Sequence, residues 1–284
     1  MVSLSPAGPI SRTARNQPRA YSLTGPSGTR IGCEAYGEGP PLVLIHGAFS
    51  DHRTNWALIK PLLECHFTVH VIARRGRGST DATVGHRLED EAEDAAALIR
   101  QVGFPVFLLG HSYGAHVALG AARILPDRVR KLVLYEAPWP RLVDDAALVP
   151  LDALARSGDW DHFAATFFAE VLAMPQADLD AMRASNDWAS IVADAPATLG
   201  DLRALARYRF DPESCRGLPM PVLLQAGSES PPDFYVTDAL AAVLPDAAVG
   251  VLAGQAHEGM TTAPEQYADA VRNFLMTGGR LPSS

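Results

Sequence analysis

The chain has 284 residues, 48% of them hydrophobic and 20% charged, enough apolar material for a sizeable core and too much for wholesale disorder. Its formal net charge of −8 opposes nucleic acid or an anionic membrane surface as the main partner, since both call for a basic face. Cys33, Cys65 and Cys215 lie far apart with no Cys-x-x-Cys pair, so neither a disulfide framework nor a cysteine zinc site is indicated.

Residues 1–18 carry Arg12 and Arg15 but lack the apolar stretch of a secretory signal, and are expected to form a flexible extension. No apolar run approaches the roughly 18 residues of a membrane span, so a cytoplasmic protein with no membrane partner is expected. Two strands are predicted over Arg19–Leu23 and Arg30–Tyr36, joined through the turn Gly25-Pro26-Ser27-Gly28. Pro41–Ile45 is apolar on both faces, the signature of a buried parallel strand, and it ends at His46-Gly47. A helix over Thr54–Leu63 and a strand over Phe67–Ile72 follow.

Residues His86–Val102 have helical spacing, with Leu88, Ala92, Ala95, Ala96, Ile99 and Val102 on the apolar side. Glu89, Asp90, Glu93 and Asp94 form the polar face, read as solvated and without chemistry. Then come strand 105–109, helix 113–125 and strand 130–135, an alternation that implies a doubly wound parallel sheet. From 138 to 216 the pattern is helical only, over Asp159–Ala173, Gln176–Asn186 and Trp188–Tyr208. The first of these sets Trp160, Phe163, Phe167, Val171 and Met174 on one stripe, suited to docking on the main domain or to lining a pocket. The sheet pattern resumes with strand 221–226, helix 233–244, strand 247–252 and helix 264–276. The organisation expected is a core over 19–137 and 217–284 with a helical cap over 138–216.

Gly110-His111-Ser112-Tyr113-Gly114 follows an apolar strand and opens an Ala/Leu-rich helix, the strand–turn–helix setting of a nucleophile elbow. A serine hydroxyl needs a base to take its proton. Among nine histidines, His257 alone sits in a loop between the last strand and the final helix, where reactive loops of parallel sheets gather. His111 and His116 adjoin the elbow and read as packing or polar filler. An oxyanion hole needs two converging amides, expected from Tyr113 and, in the loop after the third strand, from Ala48.

The Gly-His-Ser-Tyr-Gly elbow, the His46-Gly47 loop and the Gly254-Gln255-Ala256-His257 tail, in this order, resemble the α/β-hydrolase superfamily from about residue 20 onward. The resemblance implies an α/β fold: a mostly parallel eight-stranded sheet with helices on both faces and a helical cap inserted after the sixth strand. Two departures stand out. Where many members have Asp-x-x-Gly-x-Gly-x-Ser after the fourth strand, this chain has Ala73-Arg74-Arg75-Gly76-Arg77-Gly78-Ser79, read as drift in a loop. The usual site of the triad acid, three residues beyond Gly227, is Ser230. Glu229 lies one residue from it, and Glu136 ends the sixth strand, where some haloalkane dehalogenases and zearalenone-type lactonases keep their acid. Glu136 is favoured because a carboxylate closing an apolar strand needs a partner, which a histidine N–H supplies.

With serine in the elbow, dehalogenase and epoxide hydrolase chemistry, which require a carboxylate nucleophile, are not expected. The reading is hydrolysis of a small-molecule ester or lactone by Ser112, His257 and Glu136 through an acyl-enzyme, with no metal and no cofactor implied. The alternatives are carbon–carbon bond hydrolysis or other acyl transfer on a cyclic or aromatic substrate, and a catalytically silent ligand-binding member of the fold. Oligomeric state and substrate identity stay open.

Overall fold

The computed structural model describes residues 18–277, so the extension expected over 1–18 lies almost wholly outside the described residues. In chain order the elements are β1 (Arg19–Thr24), β2 (Arg30–Tyr36), β3 (Pro41–Ile45), α1 (Lys60–Leu63), β4 (Thr68–Ile72), α2 (Leu88–Val102), β5 (Val106–His111) and α3 (Tyr113–Ile124). After β6 (Val129–Tyr135) come α4 (Asp145–Ser157), α5 (Trp160–Thr166), α6 (Gln176–Ala184) and α7 (Trp188–Arg207). The chain ends with β7 (Val222–Gly227), α8 (Thr237–Ala241), β8 (Ala247–Leu252), α9 (Gly259–Thr262) and α10 (Pro264–Met276).

The eight strands form one sheet in the order β1-β2-β4-β3-β5-β6-β7-β8. β2 runs antiparallel to both β1 and β4, and every other neighbouring pair is parallel. The central strands β3 and β5 are apolar on both sides because helices cover both. Val43, Ile45, Leu108, Leu132 and Leu224 face the core shared with α2 and α3. The alternate residues Leu42, Leu44, Leu109, Val133 and Leu223 face the core shared with Trp56, Phe274 and the rest of α10. Successive connections leave β3 in opposite directions, to β4 on one side and β5 on the other. In sheets of this kind the ligand site lies at the carboxyl ends of the strands beside such a switch, here β3 and β5.

Several predicted elements differ in extent, each for a local reason. Helix is confined to α1 within the expected 54–63, because the Asp51 carboxylate takes the amides of Arg53 and Thr54 at 2.7 and 2.8 Å. The stretch expected as one helix over 159–173 passes from α5 into a wider π turn at Phe167–Val171. A helix at 145–157 was not foreseen: Pro150 interrupts its pattern, yet Asp144 caps it through the amide of Ala147 and Gly158 closes it at φ 76°. Over 233–244, a 3₁₀ turn at Pro232–Phe234 is followed by α-helix only from Thr237, because Tyr235 bridges Pro138 and the Val236 amide donates to Ala137. The solvated face assigned to α2 needs a larger correction. Asp94 is buried and accepts from Arg75 Nε at 2.6 Å, and Glu91 is buried beside it against Arg74.

Candidate active site

β5 delivers its last residue, His111, into a turn too tight for ordinary backbone. Ser112 has φ 55° and ψ −126°, a region that side chains rarely occupy. The flanking glycines are required by close approach: a Cβ on Gly110 would meet the Gly114 carbonyl at 2.4 Å, and one on Gly114 would meet that of His46 at 2.3 Å. The Ser112 amide donates to Tyr135 at 2.9 Å, which ties the turn to β6. Ser112 is partly accessible, at the N-terminus of α3, where the helix dipole presents partial positive charge.

The next strand ends the same way. Glu136 follows β6 with φ 48°, and its amide donates to Gln225 on β7 at 3.1 Å. That bend sends its side chain, fully enclosed, toward the loop after β8. Oε1 accepts from the Gly227 amide at 2.7 Å, and Oε2 lies 2.7 Å from His257 Nδ1. Burial alone would raise the Glu136 carboxyl, but the hydrogen bond and charge of His257 outweigh it and hold the group below its ordinary value. The reverse holds for the imidazole: burial would lower His257, and the hydrogen bond and charge of Glu136 lift it above 6.5.

The His257 ring is held from several sides. Tyr235 stacks on it at 5.4 Å between centroids and 11° between planes, and His111 donates from Nε2 to the His257 carbonyl at 3.0 Å. His111, read from sequence as filler, is therefore a brace for this loop. Its ring is driven well below the usual histidine range, first by burial and then by the charge of His257. Glu229 is elsewhere: it is exposed, and its carboxylate accepts from Ser228 Oγ at 2.9 Å. His257 and Glu136 are thus brought together, and Glu229 is not. Among the described residues neither Ser112 Oγ nor His257 Nε2 makes a hydrogen bond, which leaves both free for a substrate.

The two amides expected to bind an oxyanion share one property. The neighbours of Ala48 are engaged, the Gly47 amide with Asn55 Oδ1 at 3.1 Å and the Phe49 amide with Thr198 Oγ1 at 2.8 Å. Among the described residues, the amides of Ala48 and Tyr113 have no protein acceptor. Phe49, at φ 52°, packs on Phe163, Phe167 and Phe168 with centroids 6.1, 4.8 and 5.1 Å away. The aromatic stripe after β6 therefore docks on the loop that carries Ala48.

The arginine-rich loop after β4 is not drift. Arg74, Arg75 and Arg77 are all buried. Arg74 pairs with Glu91 and Asp201, Arg77 with Asp194 and Asp201, and Arg75 with Asp94. Sequence reading missed this network because an arginine bound inside a protein has the same letter as one in solvent.

Among the described residues, two groups bring three metal-type donor atoms within 4.8 Å of one another. In His111, His257 and Glu258, both ring nitrogens of His111 already have protein partners, Asn55 Oδ1 at 3.2 Å and the His257 carbonyl at 3.0 Å. In His86, Glu91 and Asp201, guanidinium groups occupy both carboxylates. Neither group offers a free ligand set.

Comparison with known proteins agrees with this architecture. A family model described as the alpha/beta hydrolase family matches residues 42–270. A 2-(acetamidomethylene)succinate hydrolase from Mesorhizobium japonicum is 29% identical over 266 residues, which cover 84% of this chain and 89% of the relative. The crystal structure of an alpha/beta hydrolase from Sphaerobacter thermophilus superposes with a TM-score of 0.79 at 28% identity, over 90% of this chain and 100% of that one. An enol-lactonase from Burkholderia xenovorans superposes with a TM-score of 0.75 at 19% identity, again over 90% and 100% of the two chains, a likeness of fold.

Proposed function

The chain belongs to the alpha/beta hydrolase family, and on that premise we propose that it is a serine hydrolase cleaving a carboxylic ester or lactone through an acyl-enzyme. The observation that carries the proposal is the 2.7 Å bond between His257 Nδ1 and Glu136 Oε2, set beside an elbow that lifts Ser112 out of the sheet. Because Nδ1 bears the proton given to Glu136, Nε2 has the lone pair that a general base needs.

Ser112 Oγ attacks the substrate carbonyl while His257 Nε2 takes its proton. The tetrahedral oxyanion is held by the amides of Ala48 and Tyr113. The imidazolium, stabilised by the buried Glu136 carboxylate, returns the proton to the leaving alcohol. A water deprotonated by His257 then attacks the acyl-enzyme and frees Ser112. The helices between β6 and β7 act as a cap, residues 138–216, over the core formed by 19–137 and 217–284. No described helix is long and apolar enough to cross a membrane. Cys33, Cys65 and Cys215 are free thiols, the state a reducing compartment maintains, and we place the enzyme in the cytoplasm.

A fluorophosphonate probe tests the reading, since it reacts only with an activated serine. Labelling of the wild type at Ser112, with hydrolysis of at least one member of a panel of graded acyl esters and lactones, is the expected result. An unlabelled, folded protein would point instead to a silent ligand-binding member of the fold.

A further inference from the structure

The Arg74 guanidinium uses all of its donors. Nε donates to the His46 carbonyl at 2.9 Å, and NH2 to the Gly47 carbonyl at 2.8 Å. NH1 reaches Glu91 Oε2 and Asp201 Oδ1, both at 3.0 Å, while NH2 also reaches Asp201 Oδ2 at 2.7 Å. Arg74 is 3% exposed, Glu91 2% and Asp201 0%, so these are desolvated, geometrically determined bonds and not surface pairings.

The significance lies in which carbonyl is held. The Gly47 oxygen belongs to the same peptide unit as the Ala48 amide. In a trans peptide the C=O and N–H point in opposite directions, and no cis bond is present among the described residues. Fixing the oxygen therefore fixes the direction of the N–H. His46 adds a second grip. Its Nε2 accepts the Arg74 amide at 3.2 Å, which leaves Nδ1 protonated to donate to the Gly47 oxygen at 2.8 Å. Burial, followed by the charges of Arg74 and Arg77, keeps this imidazole neutral.

Arg74 also reaches the other expected donor. Its guanidinium lies over the Tyr113 ring, 4.5 Å from the centroid, and the Tyr113 hydroxyl donates to Glu91 Oε1 at 3.0 Å. One side chain thus touches both the peptide unit that carries the Ala48 amide and the ring of Tyr113. Its own orientation is set by Asp201 of α7, which lies in the helical insertion and is 127 residues away in the chain.

We propose that Arg74 is the positioning residue of the oxyanion hole, gripping the Gly47 carbonyl so that the Ala48 amide faces the substrate's carbonyl oxygen, with Asp201 as the anchor through which the helical insertion orients it. This rests on the serine hydrolase reading above.

The test uses the full chain and an ester that the wild type turns over, with Ser112 dependence first established by fluorophosphonate labelling. Arg74→Met with Glu91→Gln removes the charges together and leaves no lone buried ion. Asp201→Asn is close to isosteric and carries the test alone if the double variant does not fold. Arg75→Met with Asp94→Asn breaks a buried pair of the same loop that touches neither oxyanion residue. Turnover is expected to fall about 10²-fold in the first variant and about 10-fold in Asp201→Asn, with KM within about threefold of wild type. Affinity for a boronic acid that mimics the tetrahedral intermediate should fall by the same factors. The Arg75/Asp94 variant should lose stability but keep its turnover. A folded Arg74/Glu91 or Asp201 variant with wild-type turnover and boronate affinity overturns the proposal and leaves the serine mechanism standing. So does an equal loss in the Arg75/Asp94 control. Failure of the wild type to label at Ser112 would sink the underlying reading before any variant is made.

Discussion

Exchanging the two competing carboxylates for amides, one at a time, separates their roles by both rate and pH. Glu136→Gln keeps the shape of the side chain but replaces Oε2, 2.7 Å from His257 Nδ1, with a group that carries no charge. Turnover should fall by roughly 10⁴, the loss typical of a triad acid made an amide. That factor corresponds to about 5.4 kcal/mol of transition-state stabilisation. It is reasonable here because the Glu136 side chain is fully enclosed, so water cannot replace the lost charge. Glu229→Gln should leave turnover within about threefold of wild type, as expected of an exposed group remote from the chemistry.

The pH profile supplies an independent sign. His257 works as a base only when neutral, and its value lies above 6.5 because Glu136 outweighs burial. In the wild type kcat/KM should therefore rise through an apparent pKa above about 6.5. Glu136→Gln removes the hydrogen bond and the charge that raise it and leaves burial, so the limb should move to lower pH. Stability follows the same linkage. A carboxyl held below its unfolded value stabilises the fold above that unfolded value, and this contribution disappears as pH falls through the folded value. The Gln variant should accordingly lack a contribution that the wild type has above about pH 4.3, so the gap between their stabilities should close as pH falls below that value. Stopped-flow or steady-state hydrolysis across pH 5–9, with thermal melts alongside, reads all three effects. A larger loss in Glu229→Gln, or an acidic limb unmoved in Glu136→Gln, would refute the assignment.

Ser112→Ala should abolish turnover by several orders of magnitude while its melting temperature stays at the wild-type value, as checked by calorimetry on contamination-free preparations. Ser112→Gly should be equally inactive but more stable, since glycine relieves φ 55°, a strain of roughly 1–3 kcal/mol against about 1 kcal/mol of added chain entropy; a lower melting temperature than Ser112→Ala would contradict the strain argument. Gly114→Ala should reduce both stability and turnover, because its Cβ would meet backbone oxygens of His46 and Ile45 at 2.3 and 2.4 Å and push away the loop that carries Ala48. Phe163→Ala removes a fully buried ring packed on Phe49 and should cost about 3–5 kcal/mol in chemical denaturation.

The alternation of strands and helices, and the helical interruption after β6, were legible because each rests on local periodicity or on a glycine-bounded turn. So were the places of Ser112 at a strand-to-helix turn and of His257 beyond the last strand. Glu136 could be suspected from one local oddity, a carboxylate closing the apolar run Leu132–Tyr135. What could not be read depends on partners distant in sequence. Arg74 meets Glu91 at a separation of 17 residues and Asp201 at 127, and no local pattern marks any of the three. Asp94 looked solvated for the same reason: its place on α2 fits a polar face until Arg75 is folded over it. The helix over 145–157 was hidden differently, by Pro150 weighing against caps, Asp144 and Gly158, that were present in the sequence.

Backbone strain connects the legible part with the rest. Three of the non-glycine residues with positive φ, Phe49, Ser112 and Glu136, follow β3, β5 and β6 within four residues of each strand's end. Each conformation costs on the order of 1–3 kcal/mol and persists only where its surroundings impose it. In each case the strained residue's own amide is bonded to a neighbouring element: Phe49 to Thr198 on α7, Ser112 to Tyr135 on β6, and Glu136 to Gln225 on β7. The sheet therefore does more than present three loops at one edge. Each strand end is bent by the element beside it, so Ser112 depends on β6, Glu136 on β7 and the loop carrying Ala48 on α7. Loosening α7 should on this account disturb the amide at Ala48 before it disturbs His257, whose supports come from β6, the loop after β7 and His111. Hydrogen exchange on a destabilised α7 variant such as Asp201→Asn should show faster exchange at residues 46–49 with unchanged protection at 257–260, and equal loosening of both loops would be inconsistent with separate supports.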